Sequence, residues 1–238
     1  ARAQMVAIVA DDYQLAPDYV ATVVRFFEER PAAMILRCGM TAAGSDLGSR
    51  ISDAYYRASI LRRIDAGAAG SAWSRWLPRV PCDVTTRHQL EASGAAAFRR
   101  EVFDRVGMFD ESLGRAEDSD LTVRLRRHGI AIHYLPIDLV RHQYHPYLRD
   151  TLIKSWYTGW YRYRHYHKNQ LGAGGARQLV PAMILGKLRG LAALVHGIRG
   201  TDDRRLSLWL ALPCVLLFEA VNKAGFVSSW LWARRRES

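Results

Sequence analysis

Two aspartates stand side by side at the end of an apolar run near the start of the chain, MVAIVADDYQLAPDYV. Met5 to Ala10 are all apolar, and Val6, Ile8 and Val9 are β-branched, the pattern of a buried strand. Asp11 and Asp12 repel one another unless a cation or a helix N-terminus offsets their charge. Mg²⁺ is commonly held by one or two carboxylates together with substrate phosphates, so the pair suits a divalent metal and a phosphorylated ligand. At the C-terminal end of a parallel strand it would lie where open α/β sheets bind ligands. The same pair also suits a solvated turn, because Asp is a turn former.

Two further groups carry chemistry. In GRAEDSDLTVRLRRHG, Glu117, Asp118 and Asp120 fall in the first turn of a helix, where the dipole favours negative charge. Asp118 has Thr122, not a cation, four residues on, and a carboxylate so placed can serve as a general base. The bland alternatives are that Glu117 is ordinary first-turn charge, that Asp120 and Arg124 form a surface pair at i,i+4, and that Leu121 and Leu125 are core. In LVRHQYHP, His142 follows a short strand. It is either structural or, as a neutral imidazole, completes a metal site begun by a carboxylate. With His145 it makes an HxxH pair, but no cysteine accompanies it at zinc-ligand spacing.

The elements that would position these residues alternate. Val6–Val9 reads as a strand. A helix follows from about Asp18, a candidate N-cap, to Arg30, with Val20, Val23, Val24 and Phe27 as its apolar stripe and Pro31 as its stop. AAMILRCGM is a second strand. A Gly/Ser/Ala-rich excursion then contains a helix near Ser49–Arg63. HQLEASGAAAFRREVFDRVGMF reads as a strand, a turn at Ser93–Gly94 and a helix over Arg99–Val106. Glu117 to Arg127 is a helix closed by Gly129, and IAIHYLPIDLVRHQ supplies one or two last strands broken by Pro136. The fold class expected is α/β with a C-terminal helical appendage. The small run Ser93–Ala97 suits either backbone approach to a ligand or close helix–strand packing.

In this order, VADDYQLAPDYV, SGAAAFRREVFDRVGMFDE, EDSDLTVRLRRHG and a final strand ending in RH resemble the catalytic half of family 2 glycosyltransferases with the GT-A fold, over about residues 5–145. The resemblance implies a Rossmann-like mixed sheet truncated at its N-terminus, since the family's first strands and base-binding pocket precede this point. It puts Ala10–Asp11–Asp12 at the DXD position, with Asp12 on a divalent metal (Mg or Mn) that bridges the donor diphosphate, Asp11 in support and Gly94 in the backbone run beside the bound donor. Asp118 resembles the catalytic base, Glu117 would shape the acceptor side, and His142 resembles an additional metal ligand. The implied activity is inverting transfer from a nucleotide-sugar donor to a glycan or lipid-linked acceptor. Ala10 removes any third carboxylate contact, and the absence of Gln-x-x-Arg-Trp after the acidic helix favours a single transfer.

The chain has 238 residues, 49% hydrophobic and 24% charged, which excludes a disordered polymer. Its net charge of +11 is uneven: residues 1–150 carry 20 Lys/Arg against 19 Asp/Glu, residues 151–238 carry 14 against 4. Cys38, Cys82 and Cys214 are far apart and odd in number, which fits a reducing compartment. The chain opens at Ala1 without Met and enters a strand almost at once, which reads as a fragment or a processed chain.

Strand signals stop near 147, and a domain boundary is expected there, with 1–146 as partial catalytic domain and 147–238 as a basic, aromatic and apolar helical region. SWYTGWYRYRHYHKN suits a helix packed over the acceptor side, a membrane interface or stacking on nucleic acid, in that order. The most apolar stretch has 13 uncharged residues, Leu206–Phe218. Extending it takes in Glu219 and Lys223, so it reads either as an interfacial or partly inserted anchor ending in Arg234–Arg236 on the cytoplasmic side, or as an amphipathic helix packed on its neighbours. The expected setting is the cytoplasmic face of a membrane, without nucleic acid. The competing class is a non-catalytic membrane- or nucleic-acid-binding protein carrying a GT-A remnant.

Overall fold

The computed structural model describes residues 3–46, 48–53, 85–87, 90, 94–144, 147–169 and 208–237. The chain divides into two units, Ala1–Ser45 with Val80–Tyr144, and Asp46–Arg79 with His145–Ser238. The first is a mixed sheet with helices. Its elements are β1 (Met5–Val9), β2 (Tyr13–Leu15), α1 (Tyr19–Glu29), β3 (Ile35–Ala42), β4 (Thr85–Arg87), β5 (Ala95–Arg99), α2 (Glu101–Val106), α3 (Glu117–Arg127) and β6 (Ile132–His142). The strands run in the order β1-β5-β3-β6-β2, with β4 also on β6.

β1 pairs antiparallel with β5, so the parallel strand expected before Asp11 is not what forms. β3 and β6 are the parallel pair. Gly94 is in a turn, as expected, while Ser93 lies outside the described residues; Ala95, Ala96 and Ala97 then lie in β5, buried, between β1 and β3. The following helix accordingly begins at Glu101, with Arg99 still in the strand.

Pro136 bends the last strand without breaking it. The β3–β6 register jumps from Cys38↔Leu135 to Gly39↔Asp138 and then Met40↔Val140, so β6 bulges around Pro136, which has no N–H to give to the ladder. Gly39 meets the bulge, and a Cβ there would lie 2.7 Å from the Ile137 carbonyl oxygen.

The core lies between this sheet and the helices. Ile35, Ala96, Phe98, Val102, Leu121, Leu125 and Ile132 form one buried cluster. α1 starts at Tyr19 with Asp18 at its N-cap, although the Asp18 side chain makes no capping hydrogen bond. Its buried face is Tyr19, Thr22, Val23, Phe26 and Phe27; Val20, expected in the stripe, is 65% exposed. The apolar stripe of this helix is centred on its aromatics. Arg99 reaches back to donate to the carbonyls of Ala33 and Phe27, satisfying one end-of-helix acceptor. α3 ends as the sequence implies. Gly129 has φ +65°, and the Ile130 N–H donates to the Leu125 carbonyl, a Schellman closure with Ile130 packed on the same core.

Asp120 and Arg124 are not a surface pair. Asp120 is fully buried, Arg124 Nε donates to its Oδ2 at 2.9 Å, and Arg124 Nη1 donates to the Val106 and Gly107 carbonyls. The pair ties α3 to the end of α2.

In the second unit, residues 48–53 are the described part of the helix expected over Ser49–Arg63, whose remainder lies outside the described residues. Asp46 accepts from the Ser49 N–H and hydroxyl at its start. α4 (Leu148–Lys168) packs on α5 (Leu208–Glu237). The two backbones meet at glycines: a Cβ on Gly159 would lie 1.8 Å from the Asn222 carbonyl oxygen, and one on Gly225 2.2 Å from that of Trp156. Asn222 is buried between the helices, donating to the Ser155 carbonyl and accepting from Arg162. Trp160 packs on Trp232, and Tyr163 on Phe226.

Breaking the buried ion pair should be costly and asymmetric. Arg124→Met strands the fully buried Asp120 charge, whereas Asp120→Asn leaves an arginine that is 19% exposed and still bonded to two carbonyls. Urea denaturation should show Arg124→Met losing about 3 kcal/mol and Asp120→Asn distinctly less.

Candidate functional site

The site is built on the three residues between β1 and β2. The Tyr13 N–H donates to the Ala10 carbonyl at 3.1 Å, so Ala10 to Tyr13 is a tight turn with Asp11 and Asp12 at its centre. The turn-forming and ligand-binding readings of these aspartates are therefore compatible. Asp11 is exposed, while Asp12 is half-buried and turned inward. The Asp12 carbonyl accepts from the Gln143 N–H, and β2 pairs with the end of β6 with Tyr13 opposite His142. The Ala43 N–H in turn donates to the His142 carbonyl. His142 is the last residue of an eleven-residue strand, not of a short one.

This backbone frame brings Asp12 and His142 together. His142 Nε2 lies 3.0 Å from Asp12 Oδ2. Adjacent ligands of an octahedral cation, each ~2.1 Å from the metal, are about 3 Å apart, so the spacing fits two neighbouring positions on one ion. No group of three His, Cys, Asp or Glu residues suited to a metal exists among the described residues.

Tyr13 connects this pair to the acidic helix. Its ring is 4.7 Å from that of His142. Burial pushes its hydroxyl up to about 12; Arg37 opposes that shift, and both Asp12 and Asp118 add to it. Tyr13 therefore lies in the field of both carboxylates and remains a neutral phenol at physiological pH. Asp118 stands in the first turn of α3, where its backbone carbonyl accepts from the Thr122 hydroxyl; that hydroxyl in turn accepts from the Leu90 N–H. Glu117 beside it is half-buried. Burial raises its pKa, the Asp118 charge adds to this, and its Oε2 is buried without a hydrogen-bond partner among the described residues. Gly94 packs on the same group: a Cβ there would meet the Ala10 Cβ at 3.1 Å and the Tyr13 ring at 3.2 Å.

Of the residues expected from sequence, Asp12 and His142 are in direct contact, Gly94 touches the Asp12 turn, Asp118 reaches the group through Tyr13, and Asp11 points to solvent. Three participants were not expected. Tyr13 follows the two aspartates directly, and Tyr144 stands two residues beyond His142 with its ring 4.0 Å away; spacing alone could have flagged both. Arg37, 2% exposed in β3, carried no such signal, because an arginine in an apolar strand gives no hint of where its head group goes.

The profile of the glycosyltransferase-like family 2 matches residues 1–159. The chain is also similar to the pre-mycofactocin glycosyltransferases of Mycobacterium tuberculosis strains CDC 1551 / Oshkosh and ATCC 25618 / H37Rv, each 37% identical over 67 residues. That stretch is 28% of this chain and 14% of each relative's length. The mixed sheet, consistent with a GT-A-like fold, and a family match over more than half the length lead to one conclusion: the chain belongs to the glycosyltransferase-like family 2.

Proposed function

We propose that this chain carries the metal-binding and acceptor-activating part of a glycosyltransferase. It moves a sugar from a nucleotide-sugar donor to a glycan or lipid-linked acceptor, with inversion, at the cytoplasmic face of a membrane. The observation that supports the reading is the 3.0 Å approach of His142 Nε2 to Asp12 Oδ2, made by residues 130 apart in sequence, with Tyr13 packed against His142.

In this reading Asp12 and His142 hold a divalent cation, Mg or Mn, with Asp11 adding negative charge at the exposed side of the turn. Such a cation would neutralise the diphosphate as it leaves, as a Lewis acid. Asp118 accepts the proton of the acceptor hydroxyl while that oxygen attacks the anomeric carbon. Glu117, whose pKa burial raises, lines the acceptor side beside Asp118. Gly94 keeps the floor beside the turn free of side chain.

The membrane component rests on the second unit. α5 includes a stretch, Leu212–Arg236, long and apolar enough to cross a membrane. Its polarity is inverted relative to a water-facing helix: Asn222 and Ser229 are buried, whereas Leu216, Leu217, Val227 and Leu231 are exposed. That stripe carries no charge, and it ends at Trp230 and Trp232, over which Arg234 and Arg236 stack. Aromatic rings and cations together suit an anionic membrane interface.

In the full-length protein with Mn²⁺, Asp118→Asn should lower transfer by about 10²–10⁴-fold, and Asp12→Ala should abolish its metal dependence. Wild-type rates in both variants would overturn the assignment. Separately, Leu216→Glu combined with Leu231→Glu should remove the protein from floated anionic vesicles. Each leucine withdrawn from lipid loses ~1.5–3 kcal/mol, so partitioning should fall well over tenfold; undiminished flotation rejects membrane contact through this face.

A further inference from the structure

His142 is flanked by two tyrosine rings. Tyr13 lies on one side with ring centroids 4.7 Å apart and planes tilted by 58°. Tyr144 lies 4.0 Å away, tilted by 49°. The two reach the imidazole by different routes. Tyr13 is the direct cross-strand partner of His142 in the β2–β6 pair. Tyr144 stands two residues further along the same chain, and alternation returns it to the same side of an extended backbone. Between them the ring is 8% exposed, with Nε2 directed at Asp12.

We propose that Tyr13 and Tyr144 are positioning residues that clamp the His142 imidazole, holding Nε2 beside Asp12 Oδ2 before any cation arrives. A histidine side chain has two free torsions, and an unclamped ring spends part of its time turned away from a carboxylate that is 35% exposed and competes for water. Packing against two tilted rings restricts that freedom in advance, so a cation meets two ligands already at the spacing it needs. Gly94 gains a role of its own from this arrangement. Any side chain at 94 would meet the Tyr13 ring at 3.2 Å and Ala10 Cβ at 3.1 Å. Glycine leaves room there for the tyrosine, whatever the substrate. The contacts are between rings, which phenylalanine keeps and leucine removes, so phenylalanine should replace either tyrosine and leucine should not.

The inference rests on the metal-site reading above, and its test separates the two. Mn²⁺ binding to the full-length protein is titrated by electron paramagnetic resonance for wild type, Asp12→Ala, His142→Ala, and the Phe and Leu variants of Tyr13 and Tyr144. In the metal-free protein, the His142 ring-proton shifts are recorded by NMR, with circular dichroism confirming the fold. Tyr13→Leu and Tyr144→Leu should each weaken Mn²⁺ binding roughly threefold to tenfold and move the His142 ring shifts out of their ring-current range. The Phe variants should match wild type in both. If the Leu variants bind Mn²⁺ as wild type does while Asp12→Ala and His142→Ala do not, the metal site stands and the clamp is wrong. If Asp12→Ala and His142→Ala bind Mn²⁺ undiminished, the metal reading fails and takes the clamp with it.

Discussion

A three-residue link governs the shape of this sheet. β1 and β2 stand at opposite ends of the strand order β1-β5-β3-β6-β2, yet only Ala10, Asp11 and Asp12 separate them in the chain. Four strand spacings across a flat sheet amount to ~19 Å. The chain from Val9 to Tyr13 reaches about 14 Å when fully extended, and the Ala10–Tyr13 turn shortens it further. A flat sheet is therefore impossible. The sheet has to curl until its two edges approach at one end, and the bulge around Pro136, with Gly39 against it, lets β3 and β6 bend there. The mouth formed by that curl is where Asp12, Tyr13, Gly94 and His142 meet.

The same constraint explains how like charges are tolerated. Asp11 is left in water, where its charge costs little. Asp12 turns inward and finds His142, supplied by the far end of β6 because β2 pairs there. Arg37, buried in β3, donates to the Cys38 and Ala95 carbonyls and holds positive charge near Tyr13. A buried guanidinium is expensive unless it is bonded and electrically balanced. Here the Cys38 and Ala95 carbonyls supply those bonds.

The α4–α5 pair follows a different logic from the sheet unit. In the first unit apolar side chains go inward and the charged pair Asp120–Arg124 is buried to join two helices. Between α4 and α5 the contact is made by glycines, an asparagine and aromatic rings, with leucines and valine left outside. Close backbone approach and a bonded polar group give helix association without relying on hydrophobic burial, the arrangement that suits an apolar surrounding.

Much of the first unit is legible from periodicity. The strand before Asp11, the Schellman end of α3 at Gly129 and the Leu121–Leu125 core face all follow from local pattern, because each depends on neighbours within a few residues; the burial expected of that strand does not follow, since β1 is a sheet edge with none of its residues buried. The grouping of acidic residues at the start of α3, and of two aspartates before β2, is equally local. What periodicity cannot supply is the partner of each element. β1 reads the same whether its neighbour is parallel or antiparallel, the Ala95–Ala97 run suits ligand approach or close packing until it is seen between two strands, and Asp120–Arg124 reads as surface until α2 covers it. The residue types and spacings thus determined by themselves which chemistry the chain can hold. Only the pairing of β2 with the end of β6 decided that Asp12 meets His142 and that Tyr13 packs beside it, because those meetings join positions some 130 residues apart through pairings no local pattern encodes.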